Sequence, residues 1–234
     1  MSGALLGTEV LADTGGYTFI GIGPADGLFW ALIGTTLVVA AADWVAVATD
    51  RRRVEYVLKP LTMVVLIAAT LVLDDPLSGP ARGWMVAGLL CSLAGDVFLM
   101  LEDHFVEGLA SFLVGHIAYV VALWNLGVDL PRFLVGVVIV AVLMVVIGRP
   151  IIAGARRTDA RLGIPVTAYI TVISLMVASA IGTGSWVAIV GAVLFYASDG
   201  VIGLSRFVKD FPQSRLVVMT TYHLGQIGLV LALV

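Results

Sequence analysis

Eight apolar segments follow one another along this chain, each long enough to cross a lipid bilayer. A helix of roughly 17 to 25 mainly apolar residues spans the hydrocarbon core of a membrane. Turn-forming residues separate the segments, as in DDPLSGP at 74–80. The pattern predicts an all-α, polytopic membrane protein with eight transmembrane helices. The predicted helices cover 27–49, 57–73, 83–101, 106–126, 132–148, 164–182, 185–205 and 215–234.

Composition excludes a soluble domain. Only 12% of the 234 residues are charged, whereas about a quarter are charged in a typical soluble domain. The net charge of -3 gives no indication of a nucleic-acid partner, and the single cysteine, Cys91, excludes an intrachain disulfide. Residues 1–26 lack a basic segment of the kind that opens a signal peptide. We therefore expect a Gly-rich polar lead-in over 1–26 and a single membrane domain over 27–234.

Basic residues lie mostly in alternate loops. The loops after helices 2, 4 and 6 contain only Arg82 and Arg132. Cytoplasmic loops of membrane proteins carry the excess of Lys and Arg, so this bias predicts that both termini face away from the cytoplasm. The loops after helices 1, 3, 5 and 7 hold Arg51, Arg52, Arg53, Arg149, Arg156, Arg157, Arg161, Arg206, Lys209 and Arg215.

Short matches in the same order suggest that the chain contains a duplication. Because matching segments lie four helices apart, the two copies would cross the membrane in the same direction. The expected halves are parallel four-helix repeats at 27–126 and 132–234. The matches are LKPLT (58–62) with GIPVT (163–167), LAGDV (93–97) with YASDG (196–200), and GHIAYVVAL (115–123) with GQIGLVLAL (225–233).

Ionisable residues inside these apolar segments are the candidate site. A charged group within a membrane is costly and is most often functional. The duplication pairs Asp96 with Asp199 and His116 with Gln226. At a rise of about 1.5 Å per residue, these residues fall at one depth, in the cytoplasmic half of the membrane. The further members of the predicted site at similar depth are Lys59, Tyr119, Tyr222, Asp43 and Ser198.

Each of these residues also has a purely structural interpretation. A buried Asp can bond a neighbouring helix, a His can bond a carbonyl oxygen, and a Tyr can simply pack. Lys59 lies near enough to the membrane surface to extend its amine toward water, and it can also neutralise one carboxylate. The three histidines form no HxxxH or HExxH pair. We therefore expect no metal site and no cofactor.

Five segments resemble the YhhN-type family of membrane proteins, which includes the lysoplasmalogenases. The resemblance implies an eight-helix enzyme that cleaves the vinyl ether bond of lysoplasmalogen, releasing a fatty aldehyde and a glycerophospho-alcohol. The segments are KPLT (59–62), SLAGDVFLM (92–100), GLASFLVGHIAYVVA (108–122), LFYASDGVIGLSRF (194–207) and TYHLGQIGL (221–229).

The predicted residues suit that chemistry. Vinyl ether hydrolysis needs a general acid that protonates a carbon, a negative group that stabilises the resulting cation, and a base for water. Burial favours the neutral form of a carboxyl group. We expect Asp96 to act as the acid, Asp199 as stabiliser and water activator, and His116 as an orienting partner or proton relay. Lys59, Tyr119, Tyr222, Gln226, Asp43 and Ser198 would contact the lysophospholipid-type substrate or set the protonation of their neighbours.

Three other functions fit part of the pattern. A proton-coupled transporter also uses repeats and membrane carboxylates, but it needs polar groups toward both faces. A metal-dependent lipid amidase or hydrolase of the seven-helix kind needs more histidines. A lipid-binding scaffold needs no acid or base. The restriction of the polar groups to one half of the membrane favours the enzyme, acting in the cell membrane on a membrane lipid.

Overall fold

A computed structural model describes residues 27–101 and 103–234, so the predicted lead-in at 1–26 lies outside the described residues. The described residues form helices and connecting turns, without a strand. The helices are α1 (Gly27–Ala48), α2 (Arg52–Leu71), α3 (Gly79–Met100), α4 (Phe105–Asn125), α5 (Leu130–Leu143), α6 (Arg149–Thr158), α7 (Gly163–Thr183), α8 (Trp186–Phe207) and α9 (Ser214–Leu231).

Capping side chains fix several of these boundaries. Ser78, Asp129 and Ser185 each accept a hydrogen bond from a backbone N–H in the first turn of the following helix. Such a cap satisfies one of the N–H groups that a helix leaves free at its start. Gly184 closes α7 with a positive φ of 72°, a conformation that favours glycine. The turns of the structure at 72–78, 126–129 and 184–185 therefore each overlap a break between predicted helices.

The predicted break after residue 148 is wrong in its extent. A π-helical turn at Met144–Gly148 joins α5 to α6, and the helix continues to Thr158. Pro150 lacks the backbone N–H of a regular helix, and its ring crowds the preceding turn. The wider π turn accommodates this without ending the helix. The basic residues Arg149, Arg156 and Arg157 consequently lie on a helix rather than in a loop.

The packing repeats between the two halves. In the first half α3 packs along α4 and α1 along α2; in the second, α8 packs along α9 and α5 along α7. Glycines allow the closest approach, since a Cβ on Gly228 would lie 2.7 Å from Gly191 Cα. Helix α4 packs against α7, and α9 against α1 and α2, which joins the halves. This packing supports the duplication, which stays a prediction.

The surface is that of an integral membrane protein. Large apolar side chains such as Val38, Val138, Val146 and Ile164 are exposed, whereas Asp96, His116 and Gln226 are buried. Seven of the described helical segments are long and apolar enough to cross a membrane. The eighth predicted crossing corresponds to α9, an 18-residue helix that carries His223 and Gln226 in its interior. Because α9 packs against four other helices, its polar residues face protein rather than lipid.

Candidate active site

Asp96 lies on α3 in a fully engaged ion pair. Lys59 Nζ, on α2, is 3.0 Å from Asp96 Oδ1. Tyr222, on α9, donates a hydrogen bond of 2.6 Å to the other carboxylate oxygen, Oδ2. Both the Lys59 and the Asp96 side chains are buried. The pair neutralises both charges within the apolar bundle, which is the condition under which buried charges are tolerated.

Asp199 lies on α8 and is engaged through one oxygen only. Tyr169, on α7, donates a hydrogen bond to Asp199 Oδ2. His116 Nε2, on α4, is 3.7 Å from the same oxygen. No contact to Asp199 Oδ1 is present among the described residues. The side chain thus has one oxygen held and one free to meet a bound molecule.

The two carboxylates have corresponding neighbours. Asp96 contacts the second helix of its own half and the last helix of the other half, through Lys59 and Tyr222. Asp199 likewise contacts the second helix of its own half and the last helix of the other, through Tyr169 and His116. This exchange of partners between the halves is what a parallel duplication would produce, with different residues at the corresponding places.

His116 is buried in an aromatic cage. Its ring centroid lies 4.7 Å from Phe195, 5.3 Å from Tyr169 and 6.3 Å from Tyr119. Neither imidazole nitrogen has a hydrogen-bond partner among the residues that the structure describes. Phe112 also contacts His116 and, on its other side, Tyr222. Phe112 and Phe195 therefore separate the Asp199 cluster from the Lys59–Asp96 pair.

A separate hydrogen-bond chain connects three helices next to this cage. Tyr119, on α4, donates a hydrogen bond of 2.7 Å to Gln226 Oε1 on α9. The Tyr119 hydroxyl also lies 3.2 Å from Ser92 Oγ on α3. All three side chains are buried. Their bonds fix α3, α4 and α9 relative to one another, and this is the structural interpretation of Tyr119 and Gln226.

Asp199 and Tyr169 line an apolar groove. It has a volume of about 740 Å³, including its open side, which lies within the usual range for a small-molecule site. Gly200 and Gly203 of α8 line it; a Cβ on Gly203 would lie 2.9 Å from Ile151, whereas one on Gly200 would meet only Ile147, at 3.9 Å. Apart from Asp199 and the two tyrosine hydroxyls, no polar side chain lines the groove: its walls are Leu99, Phe105, Leu109, Phe112, Ile147, Gly148, Ile151, Val166, Tyr169, Ile170, Ile173, Tyr196, Asp199, Gly200, Ile202, Gly203 and Phe207.

A second, polar cavity adjoins the groove. The two share Leu99, Phe105 and Ile202 in their walls, so they lie side by side. The second cavity lies where α8 ends and α9 begins, beside the first turn of α2. Its polar wall consists of Glu55, Ser205, Arg206, Asp210, Ser214 and Arg215.

Fixed charges surround this polar cavity. Arg215 bonds Asp50 Oδ1 at 2.9 Å and Glu55 Oε2 at 2.5 Å. The hydrogen bond from Arg215 holds the pKa of the Asp50 carboxyl below its usual range. Ser214 donates a bond of 2.7 Å to Asp210, and this bond, together with the Phe211 backbone N–H, lowers the pKa of that carboxyl as well. Both carboxylates are therefore ionised at neutral pH.

The predicted site residues divide into three groups. Lys59, Asp96 and Tyr222 form one cluster, and His116 and Asp199 belong to another. Of the two carboxylates, only that of Asp199 lines the groove. The residues outside both clusters are Tyr119, Gln226, Ser198 and Asp43.

Ser198 and Asp43 lie apart from the groove. Ser198 donates a hydrogen bond of 3.2 Å to the Val218 carbonyl, which joins α8 to α9. Asp43 is fully buried on α1, and neither of its carboxylate oxygens has a hydrogen-bond partner among the described residues. The neighbouring Trp44 Nε1 bonds His223 Nδ1 at 3.2 Å. A direct contact of Ser198 or Asp43 with a molecule in the groove is therefore not supported.

Sequence reasoning missed Tyr169 and Arg206 as site residues. Tyr169 lies in the apolar segment of α7, where a tyrosine most often packs, and no motif marks it as the partner of Asp199. Arg206 was counted only as a basic loop residue, although it lies in the last turn of α8. The spacing of Arg206 from Asp199, two turns along one helix, is the signal in the sequence that points to it.

Among the described residues, no group of three His, Cys, Asp or Glu side chains is arranged to hold a metal ion. His116 and Asp199 approach each other without a third potential ligand. The arrangement is that of an acid–base site, in which a carboxyl group, a phenol and an imidazole lie together. The absence of a metal requirement stays a prediction.

Comparison with known proteins identifies the family of the chain. It is 30% identical over 159 residues to Lysoplasmalogenase TMEM86B of Homo sapiens, covering 66% of this chain and 65% of that protein. It is 36% identical over 173 residues to Lysoplasmalogenase of Mycobacterium tuberculosis (strain CDC 1551 / Oshkosh), covering 71% of this chain and 65% of that protein. The match thus spans just under two thirds of each relative. No solved structure matches the chain. Residues 54–233 match the YhhN family, and the chain therefore belongs to that family.

Proposed function

We propose that this protein is a membrane-embedded hydrolase that cleaves the vinyl ether bond of lysoplasmalogens. The observation that carries the proposal is that Asp199 lines an apolar groove and has one carboxylate oxygen, Oδ1, without a hydrogen bond or ion pair among the described residues. Relatives named Lysoplasmalogenase give the substrate class. The products would be a fatty aldehyde and a glycerophospho-alcohol.

The reaction begins with proton transfer to carbon. The Asp199 carboxyl donates its proton to the alkene carbon remote from the ether oxygen, and the electrons of the double bond form the new C–H bond. The carbon attached to oxygen becomes an oxocarbenium ion. The Asp199 carboxylate left behind lies next to this cation and stabilises it.

Water then completes the cleavage. A water molecule attacks the oxocarbenium carbon and gives a proton to the Asp199 carboxylate, which regenerates the acid and produces a hemiacetal. The hemiacetal hydroxyl loses a proton as the bond from carbon to the glycerol oxygen breaks, and that oxygen gains a proton. One water is consumed, and the aldehyde and the alcohol are released. A single carboxyl that alternates between acid and base suffices.

The surrounding residues orient this carboxyl. Tyr169 holds Asp199 Oδ2, which directs Oδ1 to the substrate. His116, 3.7 Å from the same Oδ2, is near enough to share a proton through small movements or one water molecule. This proposal assigns to Asp199 the acid role that the sequence analysis gave to Asp96. Asp96 is bound by Lys59 and Tyr222 through both oxygens and acts as a structural ion pair.

The groove suits a lipid with one chain. Its walls are apolar side chains of α4, α6, α7 and α8, which would bury an alkenyl chain. The adjoining polar cavity lies at the end of the bundle where a headgroup would remain in water. A phospholipid with one chain matches this division between an apolar groove and a polar opening.

The transporter alternative has less support. In the opposite half of the bundle the buried polar side chains are hydroxyls, and Thr70 and Ser179 bond the carbonyl four residues earlier in their own helices. Such bonds satisfy these two hydroxyls locally; the Ser174 hydroxyl is buried without a hydrogen-bond partner among the described residues, but it carries no charge and no titratable proton. Ionisable groups that could form a path to that face are not present there among the described residues. Polar groups toward one face alone suit an enzyme, because an enzyme does not need a path across the membrane.

The proposed topology places the protein in the cell membrane with both termini outside the cytoplasm, since the basic residues would then lie inside. The polar cavity would open to the cytoplasmic leaflet. A reporter that is active only in the cytoplasm should be silent when fused after Val234, and active when inserted at the turn 159–162. The reverse pattern would invert the orientation.

Aldehyde release is the direct test of function. Purified protein in detergent should release a fatty aldehyde from a lysoplasmalogen and leave the saturated alkyl-ether analogue intact, because the analogue has no alkene to protonate. Asp199→Asn should abolish release, and Asp159→Asn, in an exposed turn, serves as the matched control. Cleavage of an ester lysophospholipid at a similar rate would contradict the vinyl ether mechanism. If the protein releases no aldehyde from the lysoplasmalogen and cleaves no ester lysophospholipid, the proposed function is wrong.

A further inference from the structure

Arg206 is a cation at the junction between the polar cavity and the apolar groove. It lines the polar cavity, and its guanidinium carbon lies 3.7 Å from the ring centroid of Phe105. Phe105 lines both cavities. A guanidinium stacked on a ring keeps its N–H groups at the edge, free to donate to an anion. The stacking therefore orients Arg206 without occupying its donors.

Arg206 differs from the other arginine of the cavity in its partners. Arg215 is engaged by Asp50 and Glu55, which balance its charge. Within the described part of the chain, Arg206 has no carboxylate within 4.0 Å. Asp210, the remaining acid of the wall, is engaged by Ser214. The positive charge of Arg206 is thus the one in this cavity without a local acidic partner.

The position of Arg206 relative to Asp199 is set by one helix. Both belong to α8, seven residues apart, so they lie on the same face and about 10 Å apart along the axis. Ile202 and Gly203, between them, line the groove. The glycerol unit that joins the ether oxygen of a lysophospholipid to its phosphate is shorter than this axial separation. Helix side chains lean toward the N-terminus, so the Arg206 side chain leans toward Asp199 and shortens the gap.

We propose that Arg206 binds the phosphate group of the lysolipid headgroup, and so places the ether bond at Asp199. The assignment rests on the proposed function for the nature of the lipid. Lys59 is not available for this task, since it is buried against Asp96 and lines neither cavity. The phosphate would accept hydrogen bonds from the guanidinium edge, and the chain would extend from Asp199 into the groove.

Binding can be measured apart from catalysis. The probes are a saturated 1-alkyl lysophospholipid, the 1-alkylglycerol that lacks the phosphate, and inorganic phosphate, each added to the full chain in a phosphate-free detergent. Thermal stabilisation of the protein reports the dissociation constant. The variants are Arg206→Gln and Arg206→Lys. Arg157→Gln, which removes an exposed arginine of α6 that does not line the cavity, is the matched control.

The expected result is selective. Arg206→Gln should weaken binding of the lysophospholipid about tenfold to a hundredfold, the range for a lost charge-assisted hydrogen bond. Binding of the alkylglycerol should not change, and inorganic phosphate alone should not bind at the same concentrations. Arg206→Lys should lose less, since it retains the charge but not the fork geometry. The Arg157→Gln control should behave like the unaltered protein.

Three outcomes would overturn the assignment. Equal affinity of the unaltered protein for the lysophospholipid and the alkylglycerol would show that no phosphate is recognised. Equal loss of both ligands in Arg206→Gln would show a general packing defect. Binding of inorganic phosphate as tight as that of the lipid, lost in Arg206→Gln, would assign the site to free phosphate. If the selective loss is found but no vinyl ether is cleaved, the phosphate site stands and the proposed function falls.

Discussion

In the predicted duplication, Asp96 and Asp199 occupy corresponding places in the two halves of the bundle, and their surroundings are opposite. Asp96 has a cation on one oxygen and a phenol on the other, and its side chain is 1% exposed. Asp199 has a phenol and an imidazole near one oxygen, and its side chain is 9% exposed in the wall of a groove. The comparison teaches that a buried carboxylate with every oxygen engaged is a structural element. One with a free oxygen and an adjoining cavity is available for chemistry.

Part of the difference lies at one matched position on the second helix of each half. In the first half this helix carries Lys59, and the matching place in the second half carries Ile164, which is exposed. Tyr169, about one and a half turns further along α7, takes the role of partner to Asp199. Replacing a cation by a phenol leaves the second carboxyl without a compensating charge. The two halves could thus share one fold while one aspartate holds it and the other reacts.

The largest expected effect is on Asp199. Asp199→Asn should reduce aldehyde release by about 10²–10⁴-fold, because the amide cannot donate a proton to carbon or accept one from water. The unfolding temperature should change little, since an amide oxygen still accepts the bond from Tyr169. Rate is measured by aldehyde release and stability by thermal unfolding in detergent. If the variant keeps about the activity of the unaltered protein, Asp199 is not the general acid, and the proposed difference in role between Asp96 and Asp199 is wrong.

For Asp96 the expected effect is on folding. Asp96→Asn leaves Lys59 buried without its counter-charge, and breaking a buried pair costs about 3–5 kcal/mol. The double variant Lys59→Met with Asp96→Asn removes both charges and should recover most of that stability. The measurement is a double-mutant cycle of unfolding free energies, with aldehyde release from the double variant as a second reading. A double variant that folds normally but releases no aldehyde would return Asp96 to the catalytic role.

Tyr169 and Tyr222 should differ as the carboxylates that they contact do: loss of the Tyr169 hydroxyl should affect turnover, and loss of the Tyr222 hydroxyl should affect stability. Tyr169→Phe removes the donor that orients Asp199, and we expect aldehyde release to fall about tenfold to a hundredfold, as for a lost hydrogen bond to a charged group. Tyr222→Phe removes a donor to Asp96 and should lower the free energy of unfolding by about 1.5–3 kcal/mol with less effect on turnover. Each variant is the control for the other. Equal effects of both on turnover would indicate one joined site across Phe112 and Phe195.

The sequence predicts the helices and the depth of the polar layer because both follow from local rules. A membrane requires apolar segments of fixed length, and ionisable groups within them must lie inside the bundle. The pairing of Lys59 with Asp96 rather than Asp199 depends on which helices are neighbours, and apolar segments do not encode that order. The helix end predicted at residue 148 is wrong, because a π turn allows the helix to continue past Pro150. Tyr169 was missed because packing tyrosines and hydrogen-bonding tyrosines look alike in a sequence.

The smallest expected effect concerns the groove that makes Asp199 accessible. Gly200 lines the groove, and a Cβ placed on it would meet only Ile147, at 3.9 Å. Gly200→Val should therefore fold normally and fill part of the groove beside Asp199. We expect the KM for long-chain lysoplasmalogens to rise several-fold to about tenfold, as for one or two misfitted methylenes, with a smaller change for short chains. Gly34→Val, on a part of α1 where a Cβ meets nothing within 4 Å, is the matched control. The measurement is aldehyde release across a series of chain lengths.

A uniform fall in kcat at every length, with KM unchanged, would mean that the valine disturbs Asp199 itself. In that case the groove would not be where the chain lies, and the free oxygen of Asp199 would have to be approached from another side.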